Sequence, residues 1–240
     1  KIPKLMKRVK EMGMGAVAMT DHGNMYGAVD FQKAAKKNDL RSIIGCEMYF
    51  TKEQYDLPVE DKQELKSYHL TMLAMNHQGY KNLMYLNSMA WLKGVHPRTG
   101  IPRIDFELFS QHHEGIIVLS GDLGGEINQA VLWGNKDEAK EIAIKFRDLL
   151  GPDRYYLEVM RNAFPEQERC NEVLFEFSEE LGIPLVATND CHYLDREDAK
   201  AHAVLMSIQL SKTVDLYRLM EHNVDQLYVR SPEEMYEAFS

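Results

Sequence analysis

The sequence predicts an α/β protein: a barrel of the β/α type, with an open doubly wound sheet as the alternative. Three observations carry that expectation. Six apolar stretches of strand length alternate with segments of helical periodicity, the pattern of a parallel sheet covered by helices. No two of those stretches are joined by an obvious hairpin turn. Several end in acids or histidines, and the C-terminal strand ends are where β/α barrels carry out their chemistry.

Taken in order, Ile2, Leu5, Met6, Val9 and Met12 fall on one helical face, and Gly13 suits the end of that helix. A strand follows at 16–20 and a helix at about 26–38. The stretch "RSIIGCEMYF" reads as a strand ending near Glu47, 52–67 as a polar loop, and "SYHLTMLAMN" as the third strand. A helix at about 79–93 leads to a loop at 94–102, and Asp105 is placed to cap a short helix. "GIIVLSGD" is a clear apolar strand. The helix of "NKDEAKEIAIKFRDLLG" starts at Asn135, with Glu138 at capping-box spacing, and stops at Gly151. "RYYLEVM" is a strand. Pro165 starts a helix with Val173, Leu174, Phe177 and Leu181 inward, and "IPLVATNDCHY" is the last strand. Asp195 opens a further helix with Ala201, Val204, Leu205 and Ile208 inward, and Ser231-Pro232 caps a final short one.

A chain of 240 residues holds one large domain or two small ones. A single domain over 1–240 is expected, with the weakly organised 209–228 as an excursion from the barrel. A net charge of −9 argues against gripping nucleic acid by general electrostatics. It leaves open an enzyme that handles phosphate through metals. No apolar run is long enough to cross a membrane and the opening residues do not read as a signal peptide. Cys46, Cys170 and Cys191 form no Cys-x-x-Cys pair and read as small buried hydrophobes of a reduced, cytoplasmic protein.

The chemistry-bearing candidates are His22, Glu47, Asp122, Asp190 and His192 at or near strand ends, with His69 nearer the start of its strand. Strand alternation puts Asp190 and His192 on one side and Cys191 on the other. Imidazoles and carboxylates converging on one cavity are costly unless partnered. A divalent ion resolves this, and the donor types suit zinc, manganese or iron. A carboxylate such as Glu47 can bridge two ions. The remaining histidines are ordinary by this reading: His77, His96 and His222 in solvated loops, and His112-His113 at the surface. His202 either orients a ligand from behind or is a plain helix histidine.

The stretches "TDHGNMYGAVDFQKAAKK", "IIGCEMYF", "YHLTMLAMNHQGYKNLMYLNSMA", "GIIVLSGDLGGEI", "LVATNDCHYLDREDAKAHAVLMSIQ" and "RSPEEM" together resemble the PHP (polymerase and histidinol phosphatase) domain, in the branch fused to bacterial replicative DNA polymerases. The resemblance implies a distorted seven-stranded, TIM-like β/α barrel with up to three metals (zinc, manganese or iron). It implies that Glu47 bridges two of them and is joined by Asp190, these two being the catalytic carboxylates. His69 and Asp122 would complete the second site, and His22 and His192 the third, with Asp21 and His202 supporting from behind. It also implies a first strand with a His-x-His pair, which this sequence lacks, so fewer metals and an incomplete site are expected. Asp122 stands where polymerase relatives often have Cys, which tilts its site toward harder ions such as manganese. Segments 52–67 and 214–226 match poorly. The implied activity is a metal-dependent phosphoesterase of the 3′–5′ exonuclease type, with DNA delivered by the remainder of the polymerase alpha chain and a proofreading exonuclease subunit as a further partner. Two alternatives are a non-catalytic, metal-stapled docking module and a small-molecule phosphatase acting on histidinol phosphate.

Overall fold

The computed structural model describes residues 1–56, 66–209, 211 and 225–240. Its centre is one sheet of β1 (Ala16–Met19), β2 (Arg41–Phe50), β3 (Tyr68–Ala74), β4 (Arg103–Ile104), β5 (Ile116–Leu119), β6 (Tyr155–Met160) and β7 (Leu185–Thr188). The order is β1-β2-β3-β5-β6-β7, and β4 pairs with β2 off that path. Helices α1 (Ile2–Glu11), α2 (Ala28–Lys37), α3 (His77–Lys93), α4 (Phe106–Gln111), α5 (Glu126–Leu132), α6 (Lys136–Leu150) and α7 (Pro165–Leu181) connect the strands. After β7 come α8 (Ala199–Gln209) and α9 (Pro232–Ala238).

β1 and β7 are the two ends of the strand order, yet the sheet curls enough to bring the residues beyond them together. His22, just past β1, and His192, just past β7, have ring centroids 6.0 Å apart. A flat sheet of this width would hold its edges several strand spacings of about 4.8 Å apart. The architecture is therefore an open, curled barrel, and its C-terminal strand ends close over one cleft.

One main apolar core lies between the sheet and α3 to α7, on the face opposite Glu47 and His69, built from residues such as Met48, Phe50, Leu70, Met72, Phe109, Val118, Phe146, Leu157 and Phe177. A second, smaller cluster of Met6, Val9, Met19, Phe31, Ala35 and Leu40 seals α1 and α2 against β1. Helix starts follow local chemistry. Asp105 Oδ1 accepts from the Leu108 N–H at 2.8 Å to cap α4. Ser231 and Glu234 form a reciprocal capping box at α9.

Several expectations change. The sheet is not all parallel: β3 runs antiparallel to both β2 and β5. β2 continues past Glu47 to Phe50, because its far end pairs with β4, a two-residue strand that no periodicity marks. The last strand stops at Thr188, so Asp190 and His192 lie in a loop, and alternation does not orient them. Cys46 and Cys170 are buried as expected, but Cys191 is exposed. His96 is buried rather than solvated: its Nδ1 accepts from the backbone N–H groups of Arg98 and Thr99, both at 3.3 Å. On α8 the inward residues are Ala203 and Ser207, while Ala201, Val204, Leu205 and Ile208 are exposed. That helix has an apolar face, but it does not face the sheet. His222 and most of the expected excursion lie outside the described residues, as does 57–65 of the expected loop. Among the described residues no helix is long and apolar enough to cross a membrane.

Candidate metal centre

The cleft begins with backbone. Along one edge of β2, β1 pairs with Arg41–Ile44 and β4 with Tyr49–Phe50. Between them the chain after β1 stays in register: the Glu47 N–H donates to the Asp21 carbonyl at 3.1 Å, and the Gly23 N–H donates to the Glu47 carbonyl at 2.8 Å. This bridge sets His22 beside Glu47. Asp21 thus serves through its carbonyl, while its carboxylate lies toward Gly27 before α2.

Glu47 is 8% exposed and sits at the centre. Its Oε1 is 2.7 Å from His22 Nδ1 and 3.1 Å from His69 Nδ1. His69 Nδ1 is also 3.0 Å from Asp122 Oδ1. His69 reaches the cleft from near the start of β3 because that strand is antiparallel: its beginning lies where its neighbours in the parallel set end. Asp122 is held in the tight turn after β5, where the Gly124 N–H donates to Asp122 Oδ1 at 2.9 Å and the Gly124 carbonyl accepts from the His69 N–H at 3.0 Å.

The other wall is the loop after β7. Asp190 has a left-handed backbone, φ +46°, a conformation costing roughly 1–2 kcal/mol for a residue with a side chain. The segment 226–229 holds it there. Asn189 Nδ2 donates to the carbonyls of Gln226 and Tyr228 at 2.7 and 2.9 Å. The His192 N–H donates to the Leu227 carbonyl at 2.8 Å. His192 Nδ1 lies 3.5 Å from Asp190 Oδ1, and the His202 ring stands edge-on to His192 at 5.2 Å. Tyr49 closes the mouth, with its ring 5.3 Å from His69 and 6.5 Å from His22.

All six residues singled out as ligands therefore converge. Their electrostatics suit a cation. His22 is raised chiefly by its hydrogen bond to Glu47. Burial pushes His69 down, but Asp122, Glu47 and Asp190 outweigh it and lift it to about 9. Burial pushes Asp122 up, yet the His69 hydrogen bond brings it below the usual carboxylate range. Asp190 rises to about 6, first by burial and then by the charges of Asp122 and Glu47.

Among the described residues no group of three or more His, Cys, Asp or Glu side chains is arranged to hold a metal ion as it stands; His22 and His69 spend their Nδ1 atoms on hydrogen bonds to carboxylates. The donor chemistry nevertheless fits. Two donors on one ion, with bonds of about 2.0–2.2 Å, lie about 2.9–3.5 Å apart. The Glu47–His69 and Asp122–His69 spacings of 3.1 and 3.0 Å fall in that range. Glu47 has one oxygen shared between two imidazoles.

The family model described as PHP domain matches residues 1–162. The chain belongs to the PHP domain family. DNA polymerase III subunit alpha of Treponema pallidum is 40% identical over 99% of this chain and 20% of that protein. The same subunit of Thermus aquaticus is 41% identical over 98% of this chain and 19% of that protein. This PHP chain thus spans about a fifth of the length of the curated relatives it matches. A solved structure of a protein from Bifidobacterium adolescentis, inferred to be a metal-dependent phosphoesterase, aligns with a TM-score of 0.45 and 14% identity over 79% of this chain and 82% of that one.

Sequence reasoning missed Glu158, Asn189, Tyr49 and Gly124. For Glu158 a signal existed: it is the one acid within the otherwise apolar strand "YYLEVM". Gly124 yields a direct test. A Cβ there would stand 2.8 Å from His69 Nδ1, so Gly124→Ala is expected to displace the imidazole. Metal affinity should fall roughly 10-fold, as for other changes that disturb a ligand's orientation, with the thermal midpoint nearly unchanged. Isothermal titration beside a melting curve checks both.

Proposed function

We propose that the chain is the PHP portion of a bacterial replicative DNA polymerase alpha subunit and that its cleft is a metal-dependent phosphoesterase site of the 3′–5′ exonuclease type. The observation that carries the reading is the shared Glu47 oxygen between His22 and His69, with Asp122 beside it and Asp190 next to His192. Glu47, His69, Asp122 and Asp190 would hold the inner ions, with His22 and His192 at the rim. Zinc, manganese or iron suits this mixed set, and the oxygen-rich Asp122 side favours manganese. Divalent ions in such a site lower the pKa of water and offset charge on a phosphoryl group. The chain's own part is to hold the donors in register, keep Asp122 ionised through its hydrogen bond to His69 and narrow the mouth with Tyr49.

The net charge of −9 supports delivery of DNA by the rest of the polymerase rather than by this surface. A proofreading exonuclease subunit is a further partner on this reading, and the cytoplasm its place of action. A second reading is a non-catalytic metal-stapled docking module, which would use the same donors.

Metal content after exhaustive dialysis, measured beside manganese-dependent release of nucleotides from a 3′-labelled single strand, decides between the two. Bound metal with chelator-sensitive release supports the phosphoesterase. Bound metal with no release, but loss of melting temperature on chelation, supports the docking module. Absence of metal overturns both.

A further inference from the structure

Glu158 lies outside the donor cluster but is tied to three of the chain segments that build its inner part, on β3, after β5 and on β7. It is 3% exposed, on β6. Thr188 Oγ1 donates to its Oε1 at 2.7 Å. The Gly121 N–H donates to its Oε2 at 3.1 Å, and Thr71 Oγ1 donates to the same oxygen at 3.4 Å. Its own N–H donates to Ser120 Oγ at 2.8 Å. Each donor to the carboxylate is one or two residues from a cluster residue: Thr71 follows His69 on β3, Gly121 precedes Asp122, and Thr188 precedes Asp190.

We propose that Glu158 is a positioning residue: its carboxylate joins the ends of β3, β5 and β7 and thereby sets the placement of His69, Asp122 and Asp190 relative to one another. The inference rests on the metal-dependent reading of the cleft. The chemistry argues against a mere filler. An aliphatic side chain would pack against β6's neighbours, but it would leave the buried Gly121 N–H and two threonine hydroxyls without an acceptor. A side chain with two polar termini at this depth serves three strands at once, since a threonine hydroxyl can accept from an amide as well as donate to a carboxylate. The ties also come from residues adjacent in sequence to the donors, so a shift at Glu158 is passed on through one or two stiff strand residues.

Manganese binding, followed by the electron paramagnetic resonance of the free ion, tests this on the wild type, Glu158→Ala, Glu158→Gln and Thr188→Val, well below each melting midpoint measured without metal. Glu158→Ala is expected to weaken binding about 10- to 100-fold, the range for partners that orient ligands, while Glu158→Gln, which keeps an acceptor for the Gly121 N–H, stays within about threefold. A merely structural role lowers the melting midpoint of Glu158→Ala and leaves its manganese affinity at the wild-type value; that result overturns the proposal. Equal weakening in Glu158→Ala and Glu158→Gln overturns it too, since charge rather than placement would be at work. If Glu158→Ala does not fold, Thr188→Val decides, with weaker binding expected and unchanged binding contrary. A wild type that binds no manganese removes the metal-dependent reading and the inference with it, and this failure is told apart because it appears before any variant is compared.

Discussion

Glu47→Ala is expected to lower metal affinity by more than about 100-fold, beyond the range seen when only an outer partner of a ligand is lost, and to bring metal-dependent phosphodiester hydrolysis to background. Glu47 is buried, and its Oε1 is the atom on which His22 and His69 both converge. Without it the two imidazoles have no common acceptor, and Asp122 is left as the carboxylate beside His69. The fold should survive. The contacts that register Asp21–Gly23 on β2 are made by the Glu47 backbone, which alanine keeps. Removal of one charged acceptor from two partly buried imidazoles costs on the order of 1–3 kcal/mol in the metal-free protein. Nuclease assays with manganese, beside metal analysis and a melting curve, separate the two effects. Hydrolysis at the wild-type rate in the variant would sink the proposed assignment.

The strand ends were legible in the sequence because each couples an apolar run to a polar residue that a packed core does not need. His22 and Glu47 follow that logic. His69 does not, since it stands near the start of its strand; its place became clear only once β3 proved antiparallel. Asp190 and His192 converge for a reason the sequence hides. They are not in a strand, and Asp190 is left-handed. Their geometry comes from Asn189 and His192 binding the carbonyls of Gln226, Leu227 and Tyr228, more than thirty residues away. No local pattern encodes such ties. The apolar residues of α8 show the complementary limit. Periodicity reports that Val204, Leu205 and Ile208 share a face, but not which way the face turns.

The cleft's carboxylates are unevenly tuned, and the cause is distance from the imidazoles. Asp122 shares a hydrogen bond with His69 and titrates low. Asp190 lies 3.5 Å from the His192 Nδ1, whose charge only partly offsets its burial and the like charges of Asp122 and Glu47. A divalent ion among them would relieve that repulsion, the electrostatic counterpart of the donor spacing.

Glu158 carries a large expected pH dependence. Burial lifts its carboxyl from the ordinary 4.5 to about 7, and the charges of Asp122 and Asp190 add to the rise against the hydrogen bonds of Thr188 and Gly121. The unfolded chain releases this proton near 4.5, while the folded chain keeps it to about 7. Between those values the folded state binds more protons, so stability falls as pH rises through the window and is level above it. The loss amounts to about 3 kcal/mol in the metal-free protein. His69 acts in a later window. Its imidazole is raised from 6.5 to about 9, so its contribution is complete below 6.5 and is lost as pH rises through 9. Comparison of wild type with Glu158→Gln largely cancels the His69 effect, because both proteins carry that imidazole. In chelator, denaturant midpoints should place the variant close to wild type near pH 4.5 and about 3 kcal/mol above it at pH 8. A gap that does not change between those pH values would show that Glu158 is ionised in the folded protein at no cost. An increase in stability at pH 8 would instead mean that the natural carboxylate is kept in this position at the expense of the metal-free fold, consistent with a site whose four buried or half-buried acids are reconciled by bound cations.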